Sequence, residues 1–341
     1  MFYTLKGIFM LFYPAKNPVE LKIVHLNKSQ NERRKHLIEA TGDKNAVKQF
    51  QKALAKKAKQ KLKDKSKAKA KQKRVFVLDF DGDIKASAVK HLREEISTII
   101  SGANKGDEVV IRLESGGGMV HSYGLAAAQL VRLKDAGLTL TIAVDKIAAS
   151  GGYMMACVAD KILAAPFAVI GSIGVVSQMP NFNKWLKKHD IDYEMFTAGE
   201  YKRTVTVFGE NDDDDRAKYT EELEQTHQLF KHFVTTYRPQ LDLTKVANGD
   251  HWYGEDALHL NLVDELTTSD AYLLKQMDEH QVYAILSRQK PTLAEKLGFA
   301  NAAHSAVSGL VSTATKSALT VLGDKLPEVM SKIEQDKRLK F

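Results

Sequence analysis

Short apolar runs alternate with amphipathic segments between residues 74 and 164, and this alternation constrains the fold more than any other feature of the chain. The apolar runs predict buried strands at residues 75–80, 109–113 and 138–144. The spacing of Val89, Leu92 and Ile96 predicts a helix after the first strand, and Gly137 ends a second predicted helix. Strands that alternate with helices in this order predict a right-handed, parallel α/β layer.

Two of these strand ends are rich in glycine. The second strand runs into Ser115-Gly116-Gly117-Gly118, and the third runs into Ala148-Ala149-Ser150-Gly151-Gly152. Backbone N–H groups at such turns form a cradle for an anion, either a phosphate or the oxyanion of a tetrahedral intermediate. The first turn lacks the Gly-Lys-Ser/Thr of a P-loop, and its adjacent glycines do not match the dinucleotide-binding fingerprint.

Ser150 lies between small residues at the predicted start of a helix. Its hydroxyl has two roles open to it on the residues alone, that of a nucleophile and that of a helix N-cap. A serine nucleophile needs a base, and the candidates are three histidines and one lysine. They are His121, His227, His232 and Lys202. Lysine serves as a base only where its pKa falls from about 10.4 to roughly 7–8.

Three ordered motifs resemble the signal peptide peptidase A family. They are Ala148-Ala149-Ser150-Gly151-Gly152-Tyr153, Gly171-Ser172-Ile173-Gly174-Val175 and Ala198-Gly199-Glu200-Tyr201-Lys202, and the similarity extends over residues 74–285. Members of that family are serine proteases with a Ser–Lys dyad. The resemblance therefore implies an α/β, ClpP/crotonase-like fold with parallel strands and flanking helices, preceded here by a charged helical linker.

The resemblance also implies a role for each matching residue. Ser150 matches the nucleophile, Lys202 the general base, and Ser172 the serine that orients the lysine. Gly117 matches the residue whose N–H stabilises the oxyanion, and the Gly151 N–H is the candidate for a second donor. The chain departs from the family pattern at its first glycine-rich turn, because Gly116 stands where the family has proline. Glycine there predicts a looser loop.

The family resemblance further implies peptide substrates of apolar character, such as signal peptides or membrane-protein fragments. It implies a homo-oligomeric ring whose neighbouring subunits complete each site, a place at the bacterial inner membrane, and no cofactor or metal. Two alternatives remain open on the sequence. One is a crotonase-like acyl-CoA enzyme, and the other is a non-catalytic, membrane-associated scaffold of the same fold.

The charge of the chain is concentrated in one segment. Residues 44–74 contain 14 Lys or Arg and one acid, a charge of +13, so the remaining residues carry −5 of the net +8. The segment has few aromatics for stacking on bases, and an apolar stretch at residues 2–13 precedes it. We therefore expect it to approach a lipid surface rather than nucleic acid. The side of the membrane stays open.

These features predict four regions. A short apolar segment at 1–18 is a degenerate or truncated membrane anchor, since the twelve residues 2–13 span about 18 Å as a helix against roughly 30 Å of hydrocarbon. A Lys-rich, partly helical linker at 19–73, the peptidase domain at 74–285 and a helical tail at 286–341 follow. The single cysteine, Cys157, excludes an internal disulfide and lies in an apolar helix, where we expect it to be buried.

Overall fold

A computed structural model describes residues 19–42, 44–67, 73–199 and 201–289 of the chain. Residues 21–287 form one compact unit, and the second unit consists of residues 1–20 and 288–341. The predicted apolar segment at 1–18 and nearly all of the predicted helical tail at 286–341 lie outside the described residues. The description below concerns the first unit and the strands that border it.

Strands and helices are interspersed along the described part of the chain. The strands are β1 (Val19–His25), β2 (Arg74–Gly82), β3 (Glu108–Ser115), β4 (Thr139–Val144), β5 (Ile147–Ala149), β6 (Lys161–Ala164), β7 (Val169–Gly171), β8 (His251–Tyr253), β9 (Glu265–Leu266) and β10 (Gln281–Gln289). The helices are α1 (Leu26–Ala40), α2 (Lys44–Lys67), α3 (Val89–Gly102), α4 (Val120–Asp135), α5 (Gly151–Ala156), α6 (Asn183–Lys188), α7 (Asp213–Tyr237), α8 (Leu243–Val246), α9 (Gly254–His259) and α10 (Ser269–Glu279).

The sheet is mostly parallel. Its main path runs β1-β10-β2-β3-β4-β6-β9, and a branch extends from β3 through β5 and β7 to β8. Every registered pair is parallel except β7 with β8, which is antiparallel. The α/β fold with parallel strands and flanking helices that the sequence predicted is therefore confirmed.

Two packed layers bury the sheet, as parallel sheets require. The larger core lies between the sheet and helices α3, α4 and α5, where the predicted apolar stripe of α3 is buried at Leu92, Ile96 and Ile99. On the other face a smaller cluster gathers residues of β2, β3 and β10 under Leu273 of α10. Cys157 is wholly buried after α5, as expected, and burial raises the pKa of its thiol.

The structure differs from the sequence prediction at the start of the region read as a linker, residues 19–73. Val19–His25 forms strand β1, which lies beside β10 in the sheet, and two helices follow it. Asn27, just after β1, bonds to the segment around the start of β10. Its side-chain amide donates to the carbonyls of Met277 and His280 and accepts the Val282 N–H. The partners of β1 lie more than 200 residues away, a separation that local sequence patterns do not report.

A long irregular segment, residues 175–211, leaves the sheet after β7 and contains helix α6; we call it the arm. Ten of its large apolar side chains are exposed, up to 90% for Phe196 and 79% for Val176. Some contact one another, as Phe208 does with Phe182 and Tyr193, with ring centroids 6.2 and 5.9 Å apart. No helix within the described residues is both long and apolar enough to cross a membrane.

A buried ion pair joins the end of α7 to the sheet. The Arg238 guanidinium donates to both carboxylate oxygens of Asp264 at 2.9 Å and to the Asn261 carbonyl at 2.7 Å. Asp264 in turn accepts the Ile162 N–H of β6 at 2.7 Å. The Arg238 side chain is only 4% exposed and that of Asp264 is 31% exposed, so the guanidinium lies away from solvent and the carboxylate is partly buried.

We predict that Arg238→Ala lowers the free energy of unfolding by about 3–5 kcal/mol, because it leaves the Asp264 carboxylate without its buried partner. Arg112→Ala is the matched control. Arg112 forms the same two-bond pair with Asp79, but both side chains are more than 40% exposed. Loss of that pair is expected to cost less than about 1 kcal/mol. Urea denaturation measures both, and equal losses would contradict this account of the buried pair.

Candidate active site

Three strands that end at the same edge of the sheet bring the predicted site residues together. Ser115, the last residue of β3, pairs with Ala148 of β5, and Ala148 pairs in turn with Ile170 of β7. Because these strands are parallel, the glycine loop (residues 115–118), the turn at Ser150 and the turn at Ser172 all follow from one edge. Positions far apart in the sequence thus become neighbours.

Ser150 stands on a strained turn between β5 and α5. Its φ is +52°, in the left-handed region that non-glycine residues seldom adopt, and its N–H donates to the Gly171 carbonyl at 2.8 Å. Ser150 occupies the N-cap position of α5, yet its side chain makes no capping hydrogen bond. The hydroxyl is half-buried and makes no hydrogen bond to any described residue, so the N-cap role that the sequence left open does not occupy it.

The glycine loop lies against this turn with no space for a side chain at Gly117. A Cβ at Gly117 would stand 2.7 Å from the Gly151 nitrogen and 2.8 Å from the Ser150 Cβ, and φ at Gly117 is +89°. The Gly117 N–H donates to the Ser115 hydroxyl oxygen at 3.1 Å. The N–H groups of Gly118 and Gly151 make no hydrogen bond within the described part of the chain.

Ser172 occupies a second strained turn, at the end of β7. Its φ is +51°, and its N–H donates to the Asp250 carbonyl at 2.6 Å. His227 of α7 supports the same turn, because its Nε2 lies 3.1 Å from the Ile173 carbonyl oxygen. The structure thus brings Ser172 to the predicted site and gives His227 a partner in the backbone. His121 and His232 are exposed.

A groove of about 1260 Å³ contains both serines. Its walls come from the glycine loop, the turn after β7, helix α7 and the residues just before α3. Most of the side chains in it are apolar: Ile84, Met119, Val120, Met154, Val175, Val176, Leu229, Phe230 and Phe233. Polar groups gather at the end near Ser172, where Thr226, His227 and Asn248 lie.

Lys202 is the one predicted site residue that the single chain does not bring to this groove. It lies exposed on the arm, where its N–H donates to the Gly199 carbonyl at 3.1 Å. Neighbouring Tyr201 lies with its ring 4.9 Å from the Lys218 amine. Among the described residues no hydrogen bond joins the Lys202 amine to Ser150 or Ser172. The chain alone therefore assembles the serine, the second serine and the glycines, and leaves the lysine outside.

The buried side chain of Tyr123 supports the site, and it was not singled out from the sequence. A Cβ at Gly151 would lie 2.4 Å from the Tyr123 ring, so the ring packs directly under the turn that carries Ser150.

No group of three His, Cys, Asp or Glu residues with the spacing of a metal site occurs in the described ranges.

Comparison with known proteins identifies the family. The model described as Peptidase family S49 N-terminal matches residues 8–130, and the model described as Peptidase family S49 matches residues 132–283. Together the two matches span well over half of the chain, and the chain belongs to peptidase family S49. This confirms the family assignment that the sequence motifs indicated.

Two of the similar relatives are bacterial proteins, each named as the probable protease SohB. The chain is 60% identical over 224 residues to the probable protease SohB of Haemophilus influenzae, and 58% identical over 212 residues to that of Buchnera aphidicola subsp. Acyrthosiphon pisum. The matched stretches cover 66% and 62% of this chain. They cover 64% and 63% of the relatives, so the chain spans a little under two thirds of the length of the proteins it matches.

One of the solved structures similar to this chain is described as the 1510-N membrane-bound stomatin-specific protease, a mutant in complex with a substrate peptide. The sequence identity is 14% and the TM-score is 0.36. The match covers 67% of this chain and 97% of that one.

We predict that Gly117→Ala disturbs the turn at Ser150 while leaving the core intact. The added methyl meets two backbone atoms and the Ser150 Cβ at under 3.0 Å, and a positive φ opposes alanine besides. Labelling of Ser150 by a fluorophosphonate probe is expected to slow at least about tenfold, as for a misplaced reacting group, with little change in the thermal midpoint. Labelling at the rate of the unmodified protein would show that the loop does not touch the reactive geometry.

Proposed function

We propose that this protein is a serine endopeptidase in which Ser150 is the nucleophile and Lys202 the general base. The observation that carries the proposal is the state of Ser150. Its hydroxyl makes no capping bond, the backbone beneath it is held at φ +52°, and it opens into a groove beside the N–H groups of Gly118 and Gly151, which bond to nothing in the described part of the chain. Membership of peptidase family S49 supports the class of reaction.

The mechanism assigns one task to each group. Ser150 Oγ attacks the carbonyl carbon of a peptide bond as the neutral Lys202 amine removes its proton. The Ser172 hydroxyl orients that amine. Backbone N–H groups at Gly117 and Gly151, the two donors expected from the sequence, stabilise the oxyanion. Lys202 then protonates the leaving amine, and water attacks the acyl-enzyme to release the second product and restore Ser150.

The Gly117 N–H already has an acceptor in the Ser115 hydroxyl. To serve the oxyanion it shares its proton between the Ser115 oxygen and the substrate oxygen in a three-centre hydrogen bond, so the contact with Ser115 stays in place. The Gly151 N–H carries no such bond and stands at the N-terminus of α5, where the helix dipole favours negative charge. Gly151 is therefore ready to donate without rearrangement.

The position of Lys202 supports a shared site in a homo-oligomeric ring. An amine that is exposed to water stays protonated at neutral pH, whereas a general base has to be uncharged. The arm that carries Lys202 exposes apolar side chains over its whole length, the mark of a surface that another protein covers. A neighbouring subunit that buries the arm accounts for both facts, since it dehydrates the amine and brings it to the groove of a second Ser150.

The groove favours peptides with apolar side chains. Its lining carries nine apolar side chains, and buried apolar contact contributes about 25 cal/mol per Å². Signal peptides and fragments of membrane proteins have this character. Substrates of this kind are found at membranes, which supports a place for the enzyme at the bacterial inner membrane. The +13 segment at residues 44–74 supports the same place, because its basic residues are attracted to anionic headgroups.

We predict that Ser150→Ala and Lys202→Ala each lower kcat by at least about 10³-fold, as loss of one member of a catalytic unit does. Lys245→Ala is the control, because Lys245 is a 69% exposed lysine that pairs with Asp242 outside the groove. Cleavage of an apolar fluorogenic peptide measures the change. Activity of either variant at the level of the control would end the dyad proposal, and turnover of CoA thioesters without peptide cleavage would favour the acyl-CoA alternative.

Mixing the two inactive variants tests whether subunits share a site. If Lys202 of one subunit serves Ser150 of its neighbour, a mixed ring of Ser150→Ala and Lys202→Ala chains contains some complete sites. We expect activity to return to about a quarter of the unmodified level at equal ratio after dissociation and reassembly, by random pairing of neighbours. No recovery in rings shown to be mixed would place both residues of each dyad in one subunit.

A further inference from the structure

A chain of buried hydrogen bonds runs beneath the glycine loop, outside the residues assigned to the chemistry. The Gly117 N–H donates to Ser115 Oγ at 3.1 Å, Ser115 Oγ lies 2.6 Å from the Tyr123 hydroxyl, and that hydroxyl donates to the Asp83 carbonyl at 2.7 Å. Tyr123 is completely buried and Ser115 is 2% exposed. Water therefore does not compete for any of these side-chain hydroxyls.

In this chain of hydrogen bonds, every donor points the same way, from Gly117 towards Asp83. A carbonyl oxygen only accepts, so the one proton of the Tyr123 hydroxyl is used on Asp83. The Ser115 hydroxyl consequently donates to Tyr123 at 2.6 Å, a far shorter contact than that with the Gly82 carbonyl at 3.4 Å. Its lone pair accepts the Gly117 N–H. Burial raises the pKa of Tyr123, which keeps its hydroxyl protonated and able to donate. Each member holds the next in one orientation, and the last one held is the peptide plane between Gly116 and Gly117.

Tyr123 also contacts the other half of the site. Its ring fills the space where Gly151 would otherwise carry a Cβ, at 2.4 Å from that position. The Ser115 carbonyl fills the corresponding space at Gly152, also at 2.4 Å. The two residues thus touch the glycine loop through hydrogen bonds and the turn of Ser150 through packing, so they set the separation between the two.

We propose that Ser115 and Tyr123 are positioning residues for hydrolysis at Ser150, acting by fixing the glycine loop relative to the nucleophile turn. The proposal deepens the proposed function and rests on it. The pair touches neither substrate nor the reacting atoms. It acts through the direction of the loop's N–H groups, on which stabilisation of an oxyanion depends over tenths of an ångström.

Tyr123→Phe, Ser115→Ala and the double variant test the proposal, because the first keeps the ring and removes only the hydroxyl. We expect each to lower kcat about tenfold with KM within about twofold, less than the 10²–10³ lost with an oxyanion donor itself. Affinity for a peptide aldehyde, which forms a tetrahedral adduct, is expected to fall in parallel, and that for a product peptide to stay unchanged. The double variant is expected to lose little more than the worse single one, since both act through one chain.

Tyr272→Phe is the matched control. Its hydroxyl also makes a hydrogen bond, partly buried, at 2.6 Å to Glu108, but at the opposite end of β3 from Ser115. Tyr123→Phe loses two hydrogen bonds and Tyr272→Phe loses one, so the thermal midpoint is expected to fall in both variants and further in the first. Only Tyr123→Phe is expected to lose kcat. Equal kcat in the two variants overturns the proposal.

A methyl group placed against Ser115 and Tyr123 gives a second, independent test of the proposal. Gly82, the last residue of β2, has a backbone that alanine adopts freely, but a Cβ there would lie 2.5 Å from both Ser115 Oγ and the Tyr123 hydroxyl. Gly82→Ala is therefore expected to lower kcat about tenfold or more, whereas Gly102→Ala, where a Cβ meets nothing within 4 Å, is expected to leave it unchanged. Unchanged kcat in a folded Gly82→Ala protein contradicts the proposal.

The rate at which a fluorophosphonate labels Ser150 separates this proposal from the peptidase assignment. Labelling forms a bond from Ser150 Oγ to phosphorus and releases fluoride, passes through a five-coordinate phosphorus centre whose oxygen carries negative charge, and needs no peptide substrate. Labelling about tenfold slower in Tyr123→Phe than in Tyr272→Phe supports the positioning role even if no peptide is cleaved. Labelling at equal rates overturns it, whatever the peptide assays show.

Discussion

Parallel pairing of three strands is the constraint on which the rest of the site depends. Ser115, Ala148 and Ile170 stand side by side on β3, β5 and β7, so the three turns that follow them share one edge of the sheet. Parallel strands point all their carboxyl ends the same way, and a crossover helix returns the chain each time. The nucleophile turn, the glycine loop and the turn of Ser172 are therefore neighbours before any side chain makes a contact.

Close approach between backbone segments at this edge of the sheet then brings the candidate oxyanion donors next to Ser150. Glycines at 117 and 151 allow the loop, the nucleophile turn and the Tyr123 ring to come nearer than any Cβ would permit. Positive φ values at Ser150 and Ser172 are strained, and hydrogen bonds from their own N–H groups to Gly171 and Asp250 hold them there. The site is thus assembled from main-chain geometry, with side chains as supports and lining.

The sequence predicted what local patterns can encode and missed what depends on distant contacts. The stripe of α3 and the glycine-rich strand ends were readable from spacing, and the structure confirms them. Strand β1 was predicted to be linker, because its partner β10 lies more than 200 residues further along the chain. Tyr123 was not singled out, since the partners of its hydroxyl, Asp83 and Ser115, lie at the ends of other elements. The exposed place of Lys202 on the arm is likewise a matter of long-range geometry.

The pairing of β10 with β2 has a consequence for biosynthesis. Gln281 is registered opposite Arg74, more than 200 residues earlier, so an inner strand of the sheet keeps a bare edge while most of the chain is still being translated. An unpaired strand edge is a template for unwanted association. A ribosome-bound fragment of this chain is thus more vulnerable to aggregation than the finished protein, and the edge is protected only when β10 emerges.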